Sequence, residues 1–385
     1  MKTIPRPAHA IQMVDLKSQY VRLKSEIDSA IEEVFEAGKY IKGPQVLSFE
    51  QKLAQYTGSK HVISCANGTD ALQIAMMALD LKPDDEVIIP AFTYVATAEV
   101  IALLGLTPVL ADVDKNTFNL NPESFQSCIS PKTKAVVPVH LFGQSADMQS
   151  ILEISNHYGI NVVEDNAQAI GCDYKLESGE TRQCGTMGII GTTSFFPSKN
   201  LGCYGDGGAL FTSDEALATK IRMISNHGQK IQYQHDCIGV NSRLDTLQAA
   251  ILEVKLNHLK EFIHKRQLVA DGYDEALKLL DGIQIPTRDP KSSHVFHQYT
   301  LKLEGINRDA LRAYLAEVGI PSMVYYPIPL HKQKAFESAI SYRTSLEVSD
   351  QLCHQVLSLP MSPDLETDQI DYILYHIKHF IQHKS

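Results

Sequence analysis

One lysine of the sequence stands in a setting that suggests covalent chemistry. Lys199 follows an apolar, strand-like segment, comes two residues after Pro197 and precedes a glycine-rich run over residues 202–208. Most lysines are solvated surface residues, whereas an amine removed from water has a lowered pKa and becomes a nucleophile able to form a Schiff base. Ser194, five residues earlier, can add a hydrogen bond to a phosphate. The pattern therefore predicts a reactive lysine beside an anion site.

The segment ISCANGTDALQI (63–74) is a second candidate site. Its pattern predicts a strand that ends at Cys65, a tight Asn-Gly turn and a helix that opens at Thr69. The N–H groups and the dipole of a helix start attract anions, Gly68 lets the backbone approach a phosphate, and Thr69 adds a hydroxyl. The alternative is that Thr69 or Asp70 only caps the helix.

A carboxylate marks a third candidate site in the segment VVEDNAQAIG (162–171). Asp165 follows a strongly apolar strand, which places it at the carboxyl end of a sheet, where ligands of open α/β folds bind. A carboxylate there can keep a pyridine nitrogen protonated, so that the ring acts as an electron sink. Gln168, three residues on, can reach a neighbouring ring oxygen. The alternative is that Asp165 is a turn or cap residue.

Strand-like and helix-like segments alternate around these three sites. From about residue 60, each short apolar run leads into a segment of helical periodicity. The successive segments are 61–65 and 69–81, 86–90 and 95–105, 134–140 and 148–159, followed by a strand at 160–164. Strands that are apolar on both faces and alternate with helices predict an α/β fold with a mostly parallel sheet covered on both sides.

The pattern changes after a long helix predicted near residues 244–280. A further strand, a helix, a proline-rich stretch and two closing helices then indicate a smaller α+β unit. We therefore expect a large domain over residues 16–250 and a small C-terminal domain over residues 251–385, joined by an N-terminal arm over residues 1–15.

The composition is that of an ordinary globular protein. Of the 385 residues, 44% are hydrophobic and 21% are charged, and the formal net charge is −10. The acidic balance disfavours a nucleic-acid partner, and no stretch approaches the about 18–20 apolar residues of a membrane span. The N-terminus has no apolar signal core, which predicts a cytoplasmic location. Seven cysteines without a CxxC pair predict reduced thiols and no metal cluster.

Five blocks of the sequence are specific enough for comparison with known families. They are ANGTDAL, PAFTYVATAE, EDNAQA, SFFPSKNLGCYGDGGA and VNSRLDTLQAAIL. With these blocks, nearly the whole chain resembles the DegT/DnrJ/EryC1/StrS family of sugar aminotransferases. The resemblance implies a fold-type I, aspartate aminotransferase-like transferase that depends on pyridoxal 5'-phosphate (PLP). It also implies a mostly parallel seven-stranded sheet in the large domain and an α+β C-terminal domain.

The resemblance assigns most of the cofactor contacts to positions of this sequence. It implies that Lys199 holds PLP covalently, that Asp165 pairs with the pyridinium nitrogen and that Gln168 bonds the ring hydroxyl. The ring of Tyr94 is expected to stack on the cofactor, with a core residue at a helix start as the alternative. Three residues are expected to hold the phosphate: Gly68, Thr69 and Ser194.

Two further expected site residues lie in the block GVNSRLDTLQAA. Asn241 matches an asparagine that reaches the phosphate of the cofactor in the partner subunit, which implies a homodimer with shared active sites. Arg243 matches a substrate-binding position, and its planar guanidinium suits a carboxylate or a diphosphate. The alternative is that Arg243 only caps the following helix or pairs with Asp245.

The implied reaction moves an amino group from L-glutamate to a keto-sugar attached to a nucleotide. Within the family, the blocks look most like enzymes that aminate C3 of UDP-2-acetamido-2-deoxy-3-oxo-D-glucuronate for O-antigen (lipopolysaccharide) and other surface polysaccharides. Arg243 suits the uronate carboxylate. Tyr325 departs from the pattern, because some of those enzymes carry histidine there, and it either contacts the substrate or packs. The alternatives are a dTDP-linked 3- or 4-keto-6-deoxyhexose as substrate, a sugar dehydratase, and a non-catalytic regulatory protein of the same fold.

Overall fold

The computed structural model describes residues 4–384, which fold into helices and strands in alternation. The helices are α1 Leu16–Ala37, α2 Pro44–Thr57, α3 Gly68–Ala78, α4 Ala96–Leu103, α5 Pro122–Ser127, α6 Met148–Tyr158, α7 Glu215–Ile224, α8 Thr246–Leu277, α9 Arg308–Glu317, α10 Glu347–Gln355 and α11 Thr367–Lys384. The strands are β1 His61–Cys65, β2 Glu86–Pro90, β3 Thr107–Ala111, β4 Thr133–Val136, β5 Asn161–Asp165, β6 Asp173–Lys175, β7 Thr181–Gln183, β8 Ile190–Ser194, β9 Gly208–Thr212, β10 Gln229–Ile231, β11 Gln234–His235, β12 Ile283–Gln284, β13 Tyr299–Leu303, β14 Ser341–Tyr342 and β15 Val356–Leu359.

The central sheet has eight strands in the order β1-β9-β8-β5-β4-β2-β3-β14. Neighbouring strands are parallel except for β9, which runs antiparallel to both β1 and β8. The mostly parallel α/β fold is therefore confirmed. The sheet contains seven strands from the first 212 residues, as expected, and gains an eighth at its edge.

The additional strand, β14, pairs in parallel with β3 and comes from the C-terminal part of the chain. Arg343 follows it, donates to the carbonyl oxygen of Cys128 at 3.0 Å and forms an ion pair with Glu86 at the start of β2. A strand of two residues leaves no periodic signal in a sequence, which explains the difference from the expected seven.

The faces of the sheet are covered by two apolar clusters, which explains why its strands read as continuous apolar runs. Val162 and Val163 are successive residues of β5 and belong to different clusters, because neighbouring side chains of a strand point to opposite faces. Phe195 packs in the first cluster and Leu72 of α3 in the second. The strand ends that carry the candidate site residues are thus anchored from both sides.

Helix α8 connects this sheet with the C-terminal part of the chain. Leu252 and Leu259 in its first half pack under the sheet, whereas Tyr273 in its second half packs against β13 and β15 in a third cluster. Ile11 of the N-terminal arm joins that third cluster. Because α8 is continuous across the expected boundary between residues 250 and 251, the division into domains stays a prediction. Residues 1–3 of the expected arm, and residue 385, lie outside the described residues.

Candidate active site

The start of α3 and the end of β8 lie in direct contact and form a candidate phosphate site. Asn67 caps α3 by accepting the backbone N–H of Asp70 at 2.8 Å, so neither Asp70 nor Thr69 is the cap. A Cβ added to Gly68 would lie 2.6 Å from the Cβ of Ser194, so that only glycine permits this approach. Thr69 is half-buried in the same helical turn. A helix start, a bare backbone and a hydroxyl therefore converge as an anion site requires.

Asp165 is the last residue of β5 and lies buried at the carboxyl end of the sheet. Its carboxylate accepts a hydrogen bond from the hydroxyl of Thr97 at 3.0 Å and another from the backbone N–H of Ala167 at 3.1 Å. Burial raises the pKa of Asp165, although these two hydrogen bonds and the charge of Lys199 oppose the change. A buried carboxylate in this position is stabilised by a cationic partner such as a protonated ring nitrogen.

A buried hydrogen bond between His140 and Glu164 supports the end of β5 behind Asp165. Nε2 of His140 lies 2.9 Å from a carboxylate oxygen of Glu164, and both side chains are inaccessible to solvent. Nδ1 of His140 accepts the backbone N–H of Ala146 at 3.1 Å, which assigns the imidazole proton to Nε2. Glu164 also accepts backbone N–H groups from the segment 185–188 at 2.6–2.7 Å. This network holds the strand end, and with it Asp165, in one position.

Lys199 lies in the turn after β8, where its backbone N–H donates to the carbonyl oxygen of Phe196 at 2.9 Å. Part of the side chain is accessible, whereas protein atoms surround the amine on most sides. Burial lowers the pKa of the Lys199 amine to about 8, and the charge of Asp165 limits the shift. A sizeable fraction of the amine is therefore neutral at pH values near 8, as a nucleophile requires. The structure brings Lys199 and Asp165 into one electrostatic environment.

Gln168 is oriented by two hydrogen bonds beside Asp165. Its Oε1 accepts the backbone N–H of Phe142 at 2.7 Å, and its Nε2 donates to the hydroxyl of Tyr326 at 3.2 Å. The ring of Tyr326 lies 6.1 Å from that of Tyr94, and Tyr94 is 57% exposed. Tyr94 is therefore not the core residue of the alternative interpretation. An exposed aromatic ring beside these polar groups is free to stack on a bound ring.

Tyr325 precedes Tyr326 and is half-buried, with the two ring centroids 6.0 Å apart. Burial raises the pKa of Tyr325, and a hydrogen bond with the side chain of Gln298 opposes this change. Its ring packs in an apolar cluster with Phe142, beside the site. In this chain Tyr325 both packs and makes a polar contact near Gln168.

Asn241 and Arg243 lie just before α8. Within residues 4–384, neither makes a hydrogen bond or an ion pair with Lys199. Asn241 is exposed. The guanidinium of Arg243 donates to Oδ1 of Asn226 at 3.3–3.4 Å, and no ion pair within residues 4–384 includes Arg243. The alternative in which Arg243 pairs with Asp245 is therefore wrong. Arg243 instead lines a cavity of about 290 Å³ together with Lys42 and Arg222.

Three residues of the site are not singled out by the sequence: Thr97, Tyr326 and His297. Thr97 lies one helical turn after Tyr94, and Tyr326 directly follows Tyr325. Their sequence blocks therefore indicate a site nearby, but the sequence does not show which residues they bond. His297 is buried, and burial together with the charge of Lys199 holds its pKa well below the usual value. His297 is therefore a neutral group near the lysine.

Across the part of the chain that the structure describes, the thiols and other potential metal ligands form no metal site. All seven cysteines are free, and six of them are buried. Across residues 4–384, no group of three or more His, Cys, Asp or Glu side chains is arranged to hold a metal ion. None of the helices in that same range is both long and apolar enough to cross a membrane.

These residues fit a small aromatic ring that carries a phosphate, a basic nitrogen and an aldehyde. The close approach of Gly68 to Ser194 leaves a bare helix start for the phosphate. Asp165 is buried and has no cationic side chain in hydrogen-bonding contact among residues 4–384, so it suits the nitrogen. The depressed pKa of Lys199 suits the aldehyde. PLP carries these three groups. The fold and the site thus define a PLP-dependent transferase of fold type I.

Residues 21–378 match the DegT/DnrJ/EryC1/StrS aminotransferase family, and the chain belongs to this family. It is 50% identical, over 94% of its length and 98% of the relative, to the UDP-2-acetamido-2-deoxy-3-oxo-D-glucuronate aminotransferase of Pseudomonas aeruginosa. It is 43% identical to the UDP-N-acetyl-3-dehydro-alpha-D-glucosamine 3-aminotransferase of Acidithiobacillus ferrooxidans, over 94% of this chain and 95% of that one.

A similar solved structure supports the cofactor. The NtdA protein of Bacillus subtilis, crystallised with the bound cofactor PMP, superposes with a TM-score of 0.88 at 31% identity, over 99% of this chain and 87% of that one. PMP is the aminated form of PLP. The expected fold, the aminotransferase class and the PLP cofactor are therefore confirmed, whereas the role of each site residue stays a prediction.

Proposed function

We propose that this enzyme transfers the amino group of L-glutamate to C3 of UDP-2-acetamido-2-deoxy-3-oxo-D-glucuronate, as a step in building surface polysaccharide such as O-antigen. The observation that carries the proposal is the 50% identity, over nearly the full length of both chains, to an aminotransferase named for that sugar. Arg243, a half-buried arginine without an ion-pair partner among the described residues, supports it, because a guanidinium recognises the carboxylate of a uronate. A cytoplasmic location stays a prediction.

In the proposed mechanism, the residues of this chain bind, orient and move a proton. The start of α3 with Gly68, Thr69 and Ser194 holds the phosphate, and Gln168 fixes the ring plane from its edge. Bound PLP supplies an electron sink, which its nitrogen provides only while protonated. The Asp165 carboxylate keeps that proton in place throughout the reaction.

Lys199 has two roles in this proposal. Its amine holds the cofactor at rest and, when released by the amino donor, accepts the proton from the donor's α-carbon. The same proton carrier serves the reverse steps on the sugar, where it delivers a proton to C3. A pKa of about 8 suits both roles, since the amine can accept and return a proton near neutral pH. The neutral His297 nearby adds no competing positive charge.

We also propose a homodimer in which each active site takes residues from both subunits. Asn241 is exposed and has no described contact with Lys199, which supports a role for it in the partner subunit's site. Exposed apolar residues support an interface there. Leu47 beside the Arg243 cavity is 57% exposed and Ile41 is 53% exposed.

Mixed dimers test the shared site directly. In a dimer of one Lys199→Ala subunit and one Asn241→Ala subunit, a shared arrangement leaves one site with both native residues, so activity is restored relative to each pure variant. If the two residues serve the same chain's site, no site in the mixed dimer is intact and activity stays at the level of the variants.

The substrate is tested with a panel of keto-sugar nucleotides. Glutamate first loads the bound cofactor with an amino group, and the formation of each amino sugar is then measured. The panel holds the 3-oxo-glucuronate, the 3-oxo-glucosamine that lacks the carboxylate, and a dTDP-linked keto-6-deoxyhexose. We expect the uronate to be preferred and Arg243→Ala to lower kcat/KM for it by about 10- to 100-fold, the loss of one charge-assisted contact of about 1.5–3 kcal/mol.

Arg182→Ala is the matched control, because Arg182 of β7 is an exposed arginine that pairs with Glu180. It should leave all panel values unchanged. Preference for the glucosamine or the dTDP sugar, with no effect of Arg243→Ala, would overturn the substrate assignment. The PLP-bound protein should be yellow, and glutamate should bleach it while 2-oxoglutarate forms. A protein that stays yellow with glutamate and forms no 2-oxoglutarate would favour the non-catalytic regulatory alternative.

A further inference from the structure

Lys255 of α8 is a buried lysine with no carboxylate partner among the residues that the structure describes. The residue is 1% exposed, and no ion pair within residues 4–384 includes it. Its Nζ donates to the carbonyl oxygen of Gly202 at 2.7 Å and lies 4.0 Å from the centroid of the Tyr204 ring. Burial lowers the pKa of Lys255 to about 8. Burying an ammonium group costs free energy, which the contacts of that group must offset. The two contacts of Lys255 therefore indicate that it stabilises the segment of Gly202 and Tyr204.

The carbonyl group that Lys255 holds belongs to the loop that carries Lys199. This loop leaves the end of β8 and is closed by a hydrogen bond from the backbone N–H of Cys203 to the carbonyl oxygen of Phe195, at 2.8 Å. Within it, a Cβ added to Gly202 would lie only 2.3 Å from the carbonyl oxygen of Pro197. A displacement of Gly202 is therefore passed to Pro197, two residues before Lys199.

Gln248, two helical turns earlier on the same face of α8, holds the next part of the loop. Its Oε1 accepts the backbone N–H of Tyr204 at 2.8 Å, and its Nε2 donates to the carbonyl oxygen of Tyr204 at 3.3 Å. Together, Gln248 and Lys255 make three hydrogen bonds to the backbone of residues 202–204. The loop is thus fixed to a helix that is itself packed under the sheet.

We propose that Lys255, assisted by Gln248, is a positioning residue that sets the location of the Lys199 amine for catalysis. The inference rests on the proposed role of Lys199 as the cofactor lysine. A loop alone leaves its side chains mobile, whereas support from a rigid helix keeps a reacting group within the narrow range of productive geometry. A donor is needed at position 255, because the carbonyl group of buried Gly202 accepts no other hydrogen bond within residues 4–384.

The test is Lys255→Met in the holoenzyme, which keeps the apolar stem and removes the donor and the charge. We expect kcat to fall by about 10- to 100-fold while KM for glutamate changes by less than about twofold, since binding groups stay in place. We also expect a weaker circular dichroism band of the bound cofactor and a slower capture of added PLP by the cofactor-free protein, because both report the position of the Lys199 amine.

Lys260→Met is the matched control, because Lys260 is an exposed lysine on the same helix. It should leave kcat, the dichroism band and the capture rate at the parent's values. Should Lys255→Met yield no soluble protein, Gln248→Leu, which removes both bonds to Tyr204, is judged by the same readouts. A parent-like kcat and dichroism band in the tested variant overturns the inference, even when its melting temperature is lower.

Lys199→Ala separates this inference from the proposed function. If Lys199→Ala retains turnover, the proposed function fails and no positioning role remains to be assigned. If Lys199→Ala is inactive while Lys255→Met behaves as the parent, the proposed function stands and only the role of Lys255 is refuted.

Discussion

Replacing Gly68 with alanine tests whether the contact between α3 and Ser194 is the phosphate site. The new Cβ would lie 2.6 Å from the Cβ of Ser194 and 3.2 Å from its Cα, both inside ordinary van der Waals contact, which begins at 3.4 Å. Neither atom is the end of a flexible side chain. The helix start and the strand end must therefore separate by about 0.8 Å to accept one methyl group.

The expected cost has two parts. Overpacking of this kind destabilises a protein by about 1–3 kcal/mol, since both elements are anchored in the core. A displacement near 1 Å also moves the N–H groups of the helix start and the Ser194 hydroxyl away from a common anion. We expect the affinity of the cofactor-free protein for PLP to fall by about 10- to 100-fold, a loss of about 1.4–2.8 kcal/mol.

The assay is an absorbance titration of the cofactor-free protein with PLP, accompanied by thermal unfolding without ligand. Gly272→Ala is the control, because an alanine Cβ on this glycine of α8 meets nothing within 4 Å. Alanine favours a helix over glycine, so Gly272→Ala should raise the free energy of unfolding by about 0.5–1 kcal/mol and leave PLP affinity unchanged. If Gly68→Ala binds PLP as tightly as the parent, the reasoning that places the phosphate at this contact is refuted.

Three further predictions concern the ring and the amine of the site. Asp165→Asn should lower kcat by about 10²- to 10³-fold. The fold should be retained, because Thr97 and Ala167 can still bond the amide. Circular dichroism and steady-state rates check this, and a kcat within threefold of the parent would contradict it. Because burial depresses the pKa of Lys199 to about 8, its reactive neutral form increases as the pH rises through that value. The rate of PLP capture should therefore rise through pH 8 and level off by about pH 9, and a rate that still rises steeply between pH 9 and pH 10.5 would show an ordinary lysine. Tyr94→Ala should weaken PLP binding roughly two- to tenfold, whereas Tyr94→Phe keeps the stacking face and the affinity; equal losses in both variants would assign the effect to the hydroxyl.

The sequence predicts the location of those site residues that stand at or just after the end of a strand. Asp165 ends a strand, and Gly68 and Lys199 come three and five residues after strand ends. Parallel strands bring their carboxyl ends to one edge of the sheet. Strand order therefore predicts that these three residues lie at the same edge of the sheet, whereas their joint role comes from the family resemblance. The observed bounds of β1 and β2 also coincide with the predicted ones.

Contacts between distant segments are not predicted in this way. The bond of Thr97 to Asp165 joins residues 68 positions apart, and that of Tyr326 to Gln168 joins residues 158 positions apart. Neither pair has a period or a spacing that a single sequence displays. Lys255 is a similar case, because a lysine within a long helix is typical of a solvated face until the packing of α8 under the sheet buries it.

The attachment of the cofactor to Lys199 is the central claim, and borohydride reduction of the holoenzyme tests it most directly. Reduction makes the bond between cofactor and lysine permanent, and peptide mass spectrometry then identifies the modified residue. We predict the added mass on Lys199 alone. Lys255 is the informative comparison, because burial lowers its pKa to about 8 as well. Added mass on Lys255 or on any other lysine, with Lys199 unmodified, would contradict the account.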